Sequence, residues 1–127
     1  RFESGLAAAE EFISLPLQDR PTAIFSCNDL MAAGFMNFVS RKGIRIPDDV
    51  SIVGFDNTRL ATWLNPSLTS VHQSTKKIAK EATQLLLSRI AEVEKGGYVG
   101  TSHSVNVHPE LIQRDSVVAV DYAQKIE

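Results

Sequence analysis

With 127 residues, 43% of them hydrophobic, the chain has the length and apolar content of one globular domain with a real core, which excludes a disordered or fibrous protein. The 15 acidic residues outnumber the 13 basic ones and the lysines and arginines are scattered; no basic stripe is present to neutralise several phosphates, so nucleic acid is not expected as a direct partner of this segment. The single Cys27 excludes an internal disulfide, and the lack of an apolar run of about eighteen residues excludes a membrane-spanning helix, a combination that fits the cytoplasm.

The opening Arg1-Phe2-Glu3-Ser4-Gly5 has neither the apolar stretch nor the cleavage site of a signal peptide and runs straight into a helical pattern, which reads as the interior of a longer protein. Phe2, Leu6, Ala9 and Ile13 recur at helical spacing until Leu15-Pro16, where proline ends the ladder. Thr22 to Cys27 is a short run of strand formers that stops at Asn28-Asp29, where an acidic side chain can cap the next helix. That helix, from about Leu30 to Lys42, is apolar almost all round and closes on Gly43, so it is expected to be well buried or partly an interface.

Val50 to Phe55 is a nearly continuous apolar run, as in a parallel strand covered on both faces, and it ends at a second acid, Asp56. Strand, helix, strand with short connections predicts two parallel strands joined by a right-handed crossover, whose C-terminal ends share one edge of the sheet. Ligands of open α/β sheets bind outside those ends, so Asn28, Asp29 and Asp56 mark the rim to watch. Leu68 to Gln73 reads as a further strand. Ser74 can cap a long helix with Ile78, Ala82, Leu85, Leu86 and Ile90 on one face, closing at Gly96-Gly97, with Gly96 to Gly100 as a flexible turn. Ser104 to His108 and Glu110 to Arg114 are predicted strands separated by Pro109, the second extended by Ser116 to Val120.

Taken in order, Arg20-Pro21-Thr22-Ala23-Ile24-Phe25, Asn28-Asp29-Leu30-Met31-Ala32-Ala33-Gly34, the stretch Gly43 to Asn57, Pro66-Ser67-Leu68-Thr69-Ser70-Val71 with Gln73, and Pro109 to Ser116 resemble linked stretches of lac-repressor-type (LacI/GalR) transcription regulators, over nearly the whole chain. Asp56-Asn57 and Val71-His72-Gln73 place the resemblance nearest the purine- and ribose-repressor branch. The resemblance implies an α/β fold of the type I periplasmic-binding-protein kind: an open, mainly parallel sheet with helices on both faces, in a protein of two lobes joined by three crossing segments. On this reading, residues 1–73 belong to the second lobe, with the effector rim and a dimer surface. Residues 74–109 cross at a hinge near Gln73 and Ser74 to supply a helix and strand of the first lobe, and 110–127 return to the second. A complete member would add an N-terminal helix-turn-helix, the bulk of the first lobe and the opening strand of the second.

The resemblance also places Asn28 and Asp56 on effector-contacting positions, for a sugar, nucleoside or nucleobase-like molecule. A carboxylate at a strand end accepts two hydrogen bonds from vicinal hydroxyls or a base N–H edge, and an amide beside it both donates and accepts. Against this, Asp56 fits a turn residue satisfying its own loop, and Asp29 is expected to be the helix cap before it is a ligand contact. Trp63, in an irregular segment with Leu60 and Leu64, fits either core packing or a partner surface. The resemblance adds a homodimer with Ala33, Leu60, Trp63 and Leu64 at its interface, which would present two DNA-reading heads to a palindromic operator. His72, His103 and His108 lack the close spacing of a metal site, so neither metal nor cofactor is expected. Cys27 reads as a small core residue, and without a nucleophile elbow or a dinucleotide fingerprint no enzyme is expected. The function so read is a ligand-controlled regulator; the alternative with the same fold is a solute-binding protein of transport or chemotaxis.

Overall fold

A computed structural model describes residues 1–97 and 103–119. The elements run α1 (Phe2–Ser14), a 3-10 turn (Leu17–Asp19), β1 (Ala23–Phe25), α2 (Asp29–Arg41), β2 (Ser51–Phe55), α3 (Arg59–Trp63), β3 (Thr69–His72), α4 (Thr75–Glu94) and β4 (Glu110–Ile112). They divide into two compact units, residues 1–72 with 110–127, and residues 73–109. One four-stranded sheet, in the order β1-β2-β3-β4, belongs to the first unit. β1, β2 and β3 are parallel neighbours, with Ile24 beside Ile52 and Gly54 beside Ser70, and β4 returns antiparallel to β3 with Glu110 beside His72. The fold is therefore the expected α/β type with an open, mainly parallel sheet.

α1 and α2 cross through glycines. A methyl group at Gly5 would run into the Met31 carbonyl oxygen, and one at Gly34 into the Phe2 carbonyl oxygen, so the two backbones touch where no side chain intervenes. Phe12 and Phe35 close the far side of this contact edge to face, with ring centroids 5.4 Å apart. The Arg20 guanidinium lies over the Phe12 ring and donates to the carbonyls of Ile13 (2.6 Å) and Leu15 (3.1 Å), a cation at the end of a helix that carries no basic residue in its own last turn.

The core gathers Ala9 and Phe12 of α1, Ala32, Phe35, Met36 and Val39 of α2, and Ala61 of α3 around Val50, Ile52 and Leu68. Each fully buried valine, isoleucine or leucine there contributes roughly 1.5–3 kcal/mol relative to exposure. Alternation along the strands sends Phe25, Val53, Phe55, Val71 and Leu111 to the other face, where Phe25 is 64% and Leu111 59% exposed. β2 is central, with its first two residues and Gly54 buried, whereas β1 is an edge strand with both end residues exposed.

The structure departs from the predicted elements in four places. Ser104 to His108 forms no strand, because none of the described segments offers it a ladder partner. Residues 116–119 do not extend β4; instead Ser116 is fully buried, its carbonyl accepting from Ile52 N (2.9 Å) while its hydroxyl donates to Ile52 O (2.6 Å) and accepts from Thr69 N (2.8 Å). β3 starts only at Thr69, level with Val53, and Ser116 satisfies the β2 groups below that level. Trp63 closes a short helix, α3, rather than sitting in irregular chain. Cys27 is exposed, lying past the end of β1 rather than within the strand. Val120 and the Tyr98 to Gly100 part of the expected turn lie outside the described residues.

In the second unit, Ser74 Oγ accepts from Lys77 N as the cap of α4, as its sequence position suggested. The helix ends in a left-handed Gly96 whose N–H reaches Val93 O, with Gly97 N donating to Glu92 O. α4 has no buried residue, and Ile78, Leu86, Leu87, Ile90 and Val93 are exposed.

Between α2 and β2, Asp49 clips the turn that begins at Arg45. It accepts from Arg45 N (2.7 Å), Nε (3.0 Å) and NH2 (2.6 Å), and the guanidinium's hydrogen bonds are the main reason its carboxyl is held at about 2. A carboxyl so depressed stabilises the fold above its unfolded value of about 3.9 and loses that contribution as pH falls. Asp49→Asn is therefore expected to be less stable than the parent near neutral pH, and the gap in urea midpoint should close as pH falls from about 4 to about 2. The gap is small, because the pair is solvent-screened.

Candidate functional site

The carboxyl ends of β1 and β2 lie side by side, with Phe25 in register with Val53, so the residues that follow them, Asn28 and Asp56, emerge on one edge of the sheet. At the first of these ends the backbone stays extended through Asn28 (φ −161°, ψ 166°), and Asn28 Oδ1 accepts from Met31 N at 2.8 Å. Asn28, not Asp29, is thus the cap of α2. Its amide nitrogen remains to one side of that bond, on a half-buried residue.

Because Asn28 takes the cap, Asp29 is the first helical residue and its side chain turns inward, where it is 1% exposed. Gly54 makes room for it: a Cβ there would lie 2.5 Å from Asp29 Oδ1. Oδ2 accepts from Thr58 N (2.6 Å) and Thr58 Oγ1 (2.9 Å), and Oδ1 accepts from Ser70 Oγ (2.6 Å). Both oxygens are engaged inside the protein, which overturns the expectation of Asp29 as helix cap and leaves it no surface for a ligand.

What Asp29 holds is the turn after β2. Asp56 and Asn57 both have positive φ, 94° and 51°, a conformation that Asp and Asn tolerate better than other residues except glycine and that bonds from the surrounding chain hold here. Here Asp56 N donates to Val71 O (3.0 Å), Asn57 N to Ser70 Oγ (3.1 Å), and Thr58 is clasped by Asp29. The Asp56 side chain is exposed at the end of this strapped turn. Beside it, Asn57 Oδ1 accepts from Arg114 NH2 (2.7 Å), Asn57 Nδ2 lies 3.4 Å from His72 Nδ1, and Arg114 NH1 donates to Leu68 O (2.7 Å).

Sequence reasoning picked Asn28 and Asp56 and missed the supporting set of Thr58, Ser70 and Arg114. Hydroxyl residues in and after a strand carry no periodic signal. Arg114 lies 57 positions from the asparagine it serves. Gln73 and Ser74, the expected hinge, lie just past the end of β3, at the boundary where the chain passes from one compact unit to the other.

The four residues expected at a dimer surface also come together. Ala33, Leu60, Trp63 and Leu64 line one groove of about 510 Å³ beside the outer side of α2, with Met36 and Arg41 among their neighbours. Trp63 is 74% exposed, whereas Ala33 is buried and forms the groove's floor rather than contact area.

Residues 2–117 match the periplasmic binding protein-like domain family. The HTH-type transcriptional repressor PurR of Vibrio cholerae serotype O1 (strain M66-2) is 40% identical over 115 residues, which are 91% of this chain and 32% of the repressor. The crystal structure of a LacI transcriptional regulator from Bacillus cereus subsp. cytotoxis NVH 391-98 superposes with a TM-score of 0.82 at 32% identity, covering 94% of this chain and 40% of that one. A LacI family regulator from Lactobacillus casei with bound sucrose superposes with a TM-score of 0.74 at 28% identity, covering 91% and 40%. The chain thus spans about a third of the length of the curated relatives it matches. It belongs to the periplasmic binding protein-like domain family, in the form found in lac-repressor-type transcription regulators.

Proposed function

We propose that this chain is the effector-sensing and dimerising part of a ligand-controlled transcription regulator, with Asn28 and Asp56 as direct contacts to a small polar molecule. The observation that carries this reading is the Asp56 carboxylate, exposed at the C-terminal edge of parallel strands and fixed in a left-handed turn by bonds to β3 and to Asp29 of α2. A preorganised carboxylate beside an amide suits vicinal hydroxyls or the N–H edge of a base. Identity to PurR favours a purine-like effector, and the sucrose-bound relative keeps sugars in the same class.

No metal, cofactor or catalysis enters the proposal. The effector would favour one arrangement of two lobes, with movement at Gln73 and Ser74, and the homodimer would convert that preference into altered operator affinity through an N-terminal helix-turn-helix. Such a regulator works in the cytoplasm, and no helix among the described residues is long and apolar enough to cross a membrane. Reading the codons upstream of Arg1 separates this function from an exported solute-binding protein, since a helix-turn-helix supports the regulator and a signal peptide overturns it.

In the complete gene product, Asp56→Ala is expected to weaken binding of the responsive ligand about tenfold to a hundredfold, as for loss of about 1.5–3 kcal/mol of charge-assisted hydrogen bonding, while stability falls only by the strain of alanine at a positive φ, about 1 kcal/mol. Asp29→Ala should do the reverse in a thermal-shift titration. It strips three donors of their acceptor, lowers stability by roughly 2–3 kcal/mol, and touches the ligand only through the turn. Unchanged ligand affinity in Asp56→Ala would remove the site assignment. For the groove, Trp63→Asp should shift the dimer toward monomer in sedimentation by an amount typical of an interface anchor, about 2 kcal/mol or more, with ligand binding retained.

A further inference from the structure

We infer that Arg114, Asn57 and His72 form a polar rail that ties the Asp56 turn to His72, where the chain leaves the first unit, and to the segment just past β4, so that occupancy of the rim reaches the crossings through His72. The inference deepens the effector-sensing reading and rests on it. His72 is the last residue of the first unit before the chain leaves, and Glu110, its antiparallel partner on β4, is the residue at which the chain returns. The exit and the re-entry are therefore adjacent strand ends, which the rail reaches through His72, while Arg114 joins it from the far end of β4, beside Thr69.

Arg114 stands two residues past β4. Its backbone N–H donates to Thr69 Oγ1 (2.8 Å), and its guanidinium reaches Leu68 O with NH1 and Asn57 Oδ1 with NH2, both at 2.7 Å. The planar fork holds both bonds in one fixed geometry, where an ammonium would offer only rotating donors on a single atom. With Oδ1 so occupied, the Asn57 amide nitrogen is turned toward His72 Nδ1, 3.4 Å away, which then serves as acceptor. Asn57 is the residue immediately after Asp56, so a ligand that pulls on the carboxylate moves a backbone whose next side chain is bonded to β3's last residue and to the chain just past β4.

The positive φ at position 57 suits asparagine or glycine, and of the two only asparagine puts a side chain into the rail. That difference separates a turn-forming residue from a positioning one. Arg114, Asn57 and His72 are positioning residues that act through the Asp56 turn and the strand ends.

The test uses the complete gene product with adenine, guanine, adenosine, ribose and sucrose as probes. Calorimetry identifies the probe that binds, and hydrogen exchange follows the amides of residues 71–76 and 110–114. In the parent, the bound probe is expected to slow exchange at both crossings by a factor of the usual allosteric size, about fivefold or more. Asn57→Gly should still bind the probe at a somewhat lower ligand-free unfolding midpoint, because Arg114 loses its acceptor, while the ligand-induced slowing falls to about onefold, no change. Arg114→Lys, which keeps the charge but not the fork, should give the same loss and serves if the glycine variant folds poorly. Retention of the parent's slowing in these variants overturns the rail, as does a parent that binds a probe with no change at the crossings. A parent that binds none of the probes overturns the effector reading and the rail together, and is distinguished from the other outcomes by the calorimetry alone.

Discussion

A carboxylate taken out of water must be met by donors, and Asp29 meets three within the fold: the Thr58 amide, the Thr58 hydroxyl and the Ser70 hydroxyl. Those groups come from the turn after β2 and from β3, while Asp29 itself opens α2. One side chain therefore joins the first strand-helix junction to the second strand-helix junction and to the third strand. The arrangement is possible because Asn28 relieves Asp29 of capping duty and because Gly54 leaves the space a larger residue would fill. Asp56 inherits its position from this arrangement.

The sheet is finished by the C-terminal segment in a similar way. Ser116 enters between β2 and β3 below the level at which they pair, and the neighbouring Asp115 and Ser67 exchange a backbone bond (3.1 Å) and a side-chain bond (2.6 Å). Arg114, on the rim side of Ser116, extends the same segment toward Asn57. A short piece of chain that crosses back after a long excursion thus closes the bottom of the sheet and braces its top. Removing it would leave Ile52 and Thr69 with unmet polar groups in the core.

The two surfaces implied by the proposed function lie in different parts of the first unit. The rim is polar, small and strapped by hydrogen bonds. The groove of Leu60, Trp63 and Leu64 is apolar, lies along α2 and α3, and has a buried alanine as its floor. α2 connects them, its first residue under the rim and its third turn at the groove. A rigid helix anchored at one end by a buried carboxylate and packed backbone to backbone on α1 is suited to transmit displacement rather than absorb it.

The order of strands and helices, the parallel pairing of β1 and β2, and the placing of Asn28 and Asp56 on one edge were legible in the sequence, because apolar runs, cap residues and crossover handedness are local or nearly local constraints. The long helix after Ser74 and its glycine stop were legible for the same reason. The exchange of roles between Asn28 and Asp29 was not, since either side chain can cap and only the cavity beside Gly54 chooses between them. Nor was the stitching by Ser116, which imitates a strand in composition, or the failure of Ser104 to His108 to form one, since a strand exists only where a partner meets it. Arg114's hold on Asn57 is a meeting of residues far apart in the chain, and hydrogen-bond partners at that separation are decided by the packing of the sheet, which no periodicity encodes.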